Sequence, residues 1–244
     1  MMNTPRPEVV GTRAFLAAAA LLFLGSVAVT LAWCGSMASM PGMPWMVMPE
    51  QTWPGATADF VGMWSVMMVA MMLPVFAPAL LRYRQATGLR DGQRLQGLTA
   101  VAALGYFSVW MLSGLAIFPL GIGLAALPMR LQPLIMMVAG VAQLSAWKSR
   151  QLACCRQAMR PSFARPAAPR TAWRHGLRLG LRCFYCCAPL TVVLLVLGVM
   201  DLRAMAAVTV AIGLERLVPA SQRVASLIGI AVIAIGLFQL LSAL

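Results

Sequence analysis

Three cysteines fall within five residues in the stretch RCFYCCAP: Cys183, Cys186 and Cys187. In a helix their i, i+3, i+4 spacing puts them on one arc of about 100°. Three thiolates so placed come close to closing a site for one soft ion. Thiolate and thioether sulfurs select Cu(I), and thiolates also suit zinc. A helix N-terminus and Arg182 beside them would favour the thiolate form. Pro189 cannot donate to the carbonyl of Tyr185, which frees that oxygen next to the sulfurs. The competing readings are buried apolar cysteine and palmitoylation at a membrane edge. A structural disulfide is disfavoured if the trio faces a reducing compartment.

Further sulfurs extend the set. Cys154 and Cys155 lie in WKSRQLACCRQ. Adjacent residues point about 100° apart on a helix, so one of the two can face the trio. The segment MWSVMMVAMMLPVFAP places Met63, Met67 and Met71 on one helical stripe, and Met68 and Met72 on the next. Methionine is ordinarily an adaptable core filler. Here Pro74 and Pro78 also free the carbonyls of Ala70 and Pro74, so a bent helix with a sulfur face is an alternative ion path. In MASMPGMPWMVM, Met37, Met40, Met43 and Met46 recur every third residue, with Met48 following. Polyproline II has three residues per turn, and Pro41 and Pro44 favour it. That run could capture metal, or it could lie in the membrane interface anchored by Trp45 and Trp53.

The chain has 19 Met and 6 Cys but one histidine, His175. Catalytic zinc usually leans on histidine, which argues against a zinc hydrolase. No Ser/His/Asp set, phosphate loop or dinucleotide fingerprint is legible, so nothing commits the chain to an enzyme. Glu215 lies near the end of an apolar run beside Arg216. Acidic residues in spans are rare and often functional; a local ion pair with Arg216 is the simpler reading. Asp59 either caps the second span or presents a carboxylate at the mouth of the Met stripe.

These residues must be positioned by membrane helices. Hydrophobic residues make up 61% of the chain, charged residues 10%, and mean hydropathy is +0.83. Soluble domains carry roughly 25% charged residues. Backbone groups in lipid must be satisfied within the segment, so long apolar runs must be helical. Seven such segments are expected, at about 14–33, 59–81, 98–118, 131–147, 181–200, 204–218 and 224–243. The fourth and sixth are short, and six spans result if the sixth does not cross. Of the 19 basic residues, all but Arg130 and Arg203 fall on one side of this arrangement. The positive-inside rule then makes the N-terminus cytoplasmic, residues 34–58 a Met-rich outer loop, and residues 148–180 a basic cytoplasmic loop. The net charge of +13 is explained by that bias, and no nucleic-acid-binding motif accompanies it. The first span is too long for a signal peptide, and Trp33 before Cys34 is too large for a lipoprotein cleavage site.

Several of these motifs, in order, resemble a bacterial family of predicted metal-binding integral membrane proteins, the domain of unknown function 2182. They are MWSVMMVAMMLP with Pro78, GYFSVW at 105–110, KSRQLACCR at 148–156, GLRCFYCCAPL at 180–190, GVMDLRAM at 198–205 and GLER at 213–216. The resemblance covers about 60–240. It implies a membrane bundle whose cysteines hold metal, with Cys155, Cys183, Cys186 and Cys187 at matching positions. One family cysteine falls at Gln151, where Cys154 is the neighbouring extra, and Ala188 stands where tryptophan is common.

The expectation is an all-α, polytopic integral membrane bundle in the bacterial inner membrane. It would bind a soft metal, foremost Cu(I) with another thiophilic ion as the variant, for transport, storage or cuproprotein assembly. The metal residues expected are Cys183, Cys186, Cys187, Cys155, Met63, Met67, Met71 and Met72. Met37, Met40, Met43, Met46, Cys154 and Glu215 are secondary candidates. Partners expected are the lipid bilayer and a metallochaperone or cuproprotein. The alternatives are a membrane thiol oxidoreductase and a non-catalytic assembly subunit.

Overall fold

Apolar runs too long for a strand and free of water-facing charge leave helix as the one way to pair their own backbone groups. A computed structural model describes residues 7–37, 52–87, 89, 91–158 and 168–242. Its elements are α1 (Pro7–Met37), α2 (Trp53–Thr87), α3 (Gly92–Ala125), α4 (Gln132–Leu144), α5 (Ala146–Ala158), α6 (Pro169–Leu197), α7 (Leu202–Leu217) and α8 (Ser221–Ser242). A short 3-10 turn, Met129–Leu131, precedes α4. Among the described residues there is no strand.

Five helices are long and apolar enough to cross a membrane: α2, α3, α6, α8 and the Gly11–Ser36 part of α1. The fourth and sixth expected segments are also helices, but short, with 13 residues in α4 and 16 in α7. At 1.5 Å per residue these reach roughly 20 and 24 Å, less than the roughly 30 Å hydrocarbon core. The all-α expectation and the several apolar helices of a multi-pass membrane protein thus hold.

Two local expectations are corrected. The stretch expected as a basic loop over 148–180 is helical over 146–158 and from Pro169 onward. Arg, Leu and Ala are good helix formers, and Pro169 at the first turn gives up an N–H that has no helical acceptor. The expected start of the second span at Asp59 is also displaced. The helix begins at Trp53, leaving Asp59 exposed in its second turn and not at its cap.

Caps mark the ends where the chain turns. Asp91 accepts from the backbone N–H groups of Gln93 (3.1 Å) and Arg94 (3.4 Å) at the start of α3. Asp201 does the same for Arg203 (2.7 Å) and Ala204 (3.2 Å) at the start of α7. Gly198 ends α6 with φ +112°, a conformation glycine adopts without a Cβ penalty.

The tightest joint lies between α3 and α6. A Cβ at Gly105 would stand 2.6 Å from the Trp173 carbonyl oxygen, and one at Gly180 would stand 2.8 Å from that of Tyr106. Gly176 faces the Ala102 carbonyl more closely still. Gly176 and Gly180 form a small-xxx-small pair, which lets two backbones meet where lipid offers no hydrophobic drive for association. Gly140 and Gly229 serve the α4–α8 joint in the same way.

The main core joins α2, α3, α6 and α7 around Trp64, Trp110 and Tyr106, all buried. Trp64 Nε1 donates to the Trp110 carbonyl at 3.0 Å. The outward faces of α1 and α8 carry exposed Leu21, Leu22 and Phe238. Contiguous apolar surface of this kind suits lipid and not water.

Candidate metal centre

The α3–α6 joint brings Tyr106 against the cysteine motif. The Tyr106 ring stacks on Phe76 of α2, with centroids 3.8 Å apart, and its hydroxyl donates to Cys183 Sγ at 2.9 Å. Cys183 Sγ also lies 3.9 Å from Cys187 Sγ and 3.9 Å from Met72 Sδ. All three sulfur residues are at most 1% exposed. From α7, Arg216 donates through Nη1 to Cys183 Sγ and through Nη2 to Cys155 Sγ, each at 3.1 Å. These short contacts, with a tyrosine O–H added, give Cys183 the donors of a charge-assisted thiolate.

The trio keeps the expected arc, with Cys187 hydrogen-bonded to both Cys183 and Cys186. Cys183 and Cys187 lie 40° apart around the helix and enter the main core, whereas Cys186 lies 60° to the other side. Cys186 instead packs with Leu152, Cys155 and Ala225. Cys155 donates to the Arg182 carbonyl at 3.2 Å. In α5, outside the candidate spans, its thiol is held well above the usual range by its hydrogen bond with Cys186 and then by burial. It therefore stands protonated. Cys154 is exposed, as the 100° offset between neighbours requires.

A second layer fixes the Cys186 backbone. Lys148 Nζ donates to the Cys186 carbonyl at 2.6 Å and pairs with Glu215 Oε2 at 2.7 Å. Gln143 Nε2 donates to Glu215 Oε1 at 2.6 Å. Lys148 and Glu215 are both buried. The simple pairing of Glu215 with Arg216 is thus corrected: consecutive helix residues point about 100° apart, so one turns to Lys148 and the other to the sulfurs. Lys148 and Arg216, read from sequence as loop charges, contact the motif directly, which sequence reasoning missed. Their signal was a charge at the edge of an apolar run.

The Met stripe is partly brought in. Met63, Met67, Met68 and Met71 are buried in the main core, but Met72 is the one placed against a thiol. Pro74 is exposed, two residues or 200° around from Met72. Met37 ends α1, and Met40, Met43 and Met46 lie outside the described residues. His175 belongs to α6 and stacks on Tyr83, with centroids 5.1 Å apart. A sulfur pair absent from the sequence reading joins Cys34 Sγ to Met200 Sδ at 3.9 Å. Met200 precedes α7 and Arg216 ends it, so this pair and the thiol cluster sit at opposite ends of that helix.

The donor chemistry fits a soft ion. Two sulfurs on one ion at about 2.3 Å each, with an angle near 120°, lie about 4.0 Å apart. The Cys183–Cys187 and Cys183–Met72 separations, 3.9 Å each, are close to that spacing. A cavity of about 20 Å³ is lined by Phe76, Tyr106, Cys155 and Arg216, among others, and by none of Cys183, Cys187 and Met72. Among the described residues no three His, Cys, Asp or Glu side chains form a group that could hold a metal ion.

A family model described as PpoB2, copper chaperone, matches residues 61–239. No curated protein and no solved structure matches the chain. The matched span carries every sulfur of the buried cluster and excludes Cys34 and the Met-rich run at 37–48. The motif-level resemblance thereby finds support in its coarser part, a copper-related family. The match covers most of the chain, from the second helix into the last, and the chain belongs to the PpoB2 copper chaperone family.

Proposed function

We propose that this chain holds Cu(I) on Cys183, Cys187 and Met72 within a bacterial inner membrane and hands it to a copper protein under assembly. The observation that carries the reading is the Cys183 sulfur, buried and in contact with both a thiol and a thioether. Soft donors in a water-poor site retain Cu(I) and exclude hard ions. Cys155 of α5 and Cys186, which packs with it, are the onward ligands. The Cys34–Met200 pair is the entry at the opposite end. Met63, Met67 and Met71 line the core between and serve as packing for the Met72 thioether. The excess of Arg and Lys around α5 and α6 supports a cytoplasmic thiol end. A thiol oxidoreductase needs cysteines that a partner disulfide can reach, and burial of Cys183, Cys186 and Cys187 disfavours it.

The test is copper retention by purified protein in detergent, reconstituted with Cu(I) buffered by bathocuproine disulfonate. Wild type is expected to keep one copper, and C183S/C187S to lose it while remaining helical. Wild type that never retains copper, or a double variant that retains it equally, overturns the reading. Orientation is read separately in intact cells. A membrane-impermeant maleimide is expected to reach Cys154 only after lysis; labelling from outside reverses the topology.

A further inference from the structure

The geometry points to the cleft between α5 and the turn into α8 as the port through which copper leaves, receiving a short acidic, thiol-bearing segment of the acceptor protein. This inference rests on the copper reading above and names the kind of partner that takes the ion.

The cleft encloses about 470 Å³ and is lined by Ser149, Leu152 and Ala153 of α5 and by residues 219–223, which lead from α7 into α8. That volume lies within the roughly 300–1,000 Å³ of ligand pockets, enough for a few residues of extended chain and too little for a folded domain. Leu152 joins the cleft to the sulfurs. Its side chain lines the cleft and, itself buried, packs in one cluster with Cys155, Cys186 and Ala225. No cysteine lines the cleft, so an ion on Cys155 and Cys186 is one leucine away from an acceptor seated there.

Charge and cargo choose the occupant. The one charged side chain of the lining is Arg223, and the lining holds no acidic residue. Arg150, next to Ser149 on α5, is exposed as well. An acidic segment is therefore complementary, and a basic one is repelled. Cu(I) leaves two sulfurs only for another soft donor, which carboxylate and amide oxygens do not supply. A thiol flanked by carboxylates meets both demands; an anionic lipid headgroup meets the first alone. In the transfer one copper–sulfur bond breaks as a bond to the entering sulfur forms. The proton of the entering thiol passes to the protein sulfur it replaces, and copper stays monovalent throughout.

The experiment uses the full chain in detergent and two capped tripeptide probes, Glu-Ser-Glu and Glu-Cys-Glu. Fluorescein-labelled Glu-Ser-Glu has no soft donor, so it reads the cleft without copper. It is expected to bind wild type, and R223E to weaken that binding by at least about 5-fold. R178E reverses an exposed arginine of α6 outside the cleft lining and is expected to leave binding within about 2-fold. Glu-Cys-Glu is then mixed with Cu(I)-loaded protein, and the loss of copper is timed. L152A is expected to release copper at least about 5-fold faster than wild type, and A153W, which fills the cleft, at least about 5-fold slower. Should L152A not fold, A153W decides, since Ala153 is exposed. The acidic-segment reading is overturned if Glu-Ser-Glu does not bind wild type, if R223E and R178E weaken it equally, if Lys-Ser-Lys binds as well, or if short-chain phosphatidylglycerol displaces it. Release from A153W at the wild-type rate overturns the port and leaves the copper reading standing. Wild type that binds Glu-Ser-Glu but retains no Cu(I) removes the copper reading, and the port with it.

Discussion

Lys148 Nζ and Glu215 Oε2 lie 2.7 Å apart, both buried, with the lysine also donating to the Cys186 carbonyl. One ion pair thus ties α5 and α7 to the backbone of α6 in the middle of its cysteine motif. Gln143 adds α4 through its bond to Glu215. Removing one partner leaves the other charge buried and alone. K148M or E215M is therefore expected to lower stability by about 3–5 kcal/mol, and K148M/E215M by clearly less than the two singles summed. Denaturant unfolding in detergent, read as a double-mutant cycle, checks this. Additive losses would mean that the pair is not coupled.

The α3–α6 joint is expected to be intolerant of a single methyl group. At Gly176 the added carbon meets the backbone of Ala102, which cannot yield unless the helices part. G176A is expected to cost at least about 2 kcal/mol. It should also lower copper retention, because Tyr106 and Cys183 sit across the same joint. Gly213 of α7 has open space at its Cβ position. G213A is expected to be neutral or to stabilise by up to about 1 kcal/mol. A thermal melt of the two variants side by side is the measurement.

Met72 and Met68 are both buried to about the same degree, but only Met72 is placed against Cys183 Sγ. Leucine replaces methionine in a core for less than about 1.5 kcal/mol, so stability should not separate M72L from M68L. Cu(I) competition should: M72L is expected to weaken retention by about 10-fold, on the ground that a soft third donor is lost, and M68L to leave it unchanged. Equal behaviour of the two would reduce Met72 to packing.

Thiol reactivity should follow burial. Cys154 is exposed, and Cys34, Cys155, Cys183, Cys186 and Cys187 are buried. Folded protein in detergent is expected to take up one maleimide quickly, at Cys154, and the other five only on denaturation. Mass spectrometry of timed samples counts them. Rapid labelling at Cys183 or Cys187 would contradict the closed core.

Stability should not depend on the exposed basic residues in the same way. R174Q and R178Q, at exposed sites on α6, are expected to stay within about 0.5 kcal/mol of wild type, in contrast to K148M. Melting temperatures measured in the same detergent distinguish the interior lysine from the surface arginines.

Much of this molecule is written in one dimension. Apolar runs of bilayer length can only be helices, so the all-α class follows from backbone hydrogen bonding and nothing else. The cysteine spacing at 183, 186 and 187 and the Met-rich run of α2 already specify soft donors, because softness belongs to the sulfur atom and not to its surroundings. What the order of residues does not contain is which sulfurs meet. Cys183 finds Cys187 within its own helix, but Met72 and Arg216 reach it from α2 and α7. Those meetings depend on the glycine-lined approach of α3 and α6 and on how each helix is rotated about its axis. A rotation of 100° separates neighbours in sequence, and it decided two of the departures: Cys155 in and Cys154 out, and Glu215 to Lys148 while Arg216 goes to the thiols. Charge behaves likewise. The sequence counts Lys148 and Arg216 with the loop arginines, and only packing turns them inward, Lys148 to Glu215 and Arg216 to the sulfurs.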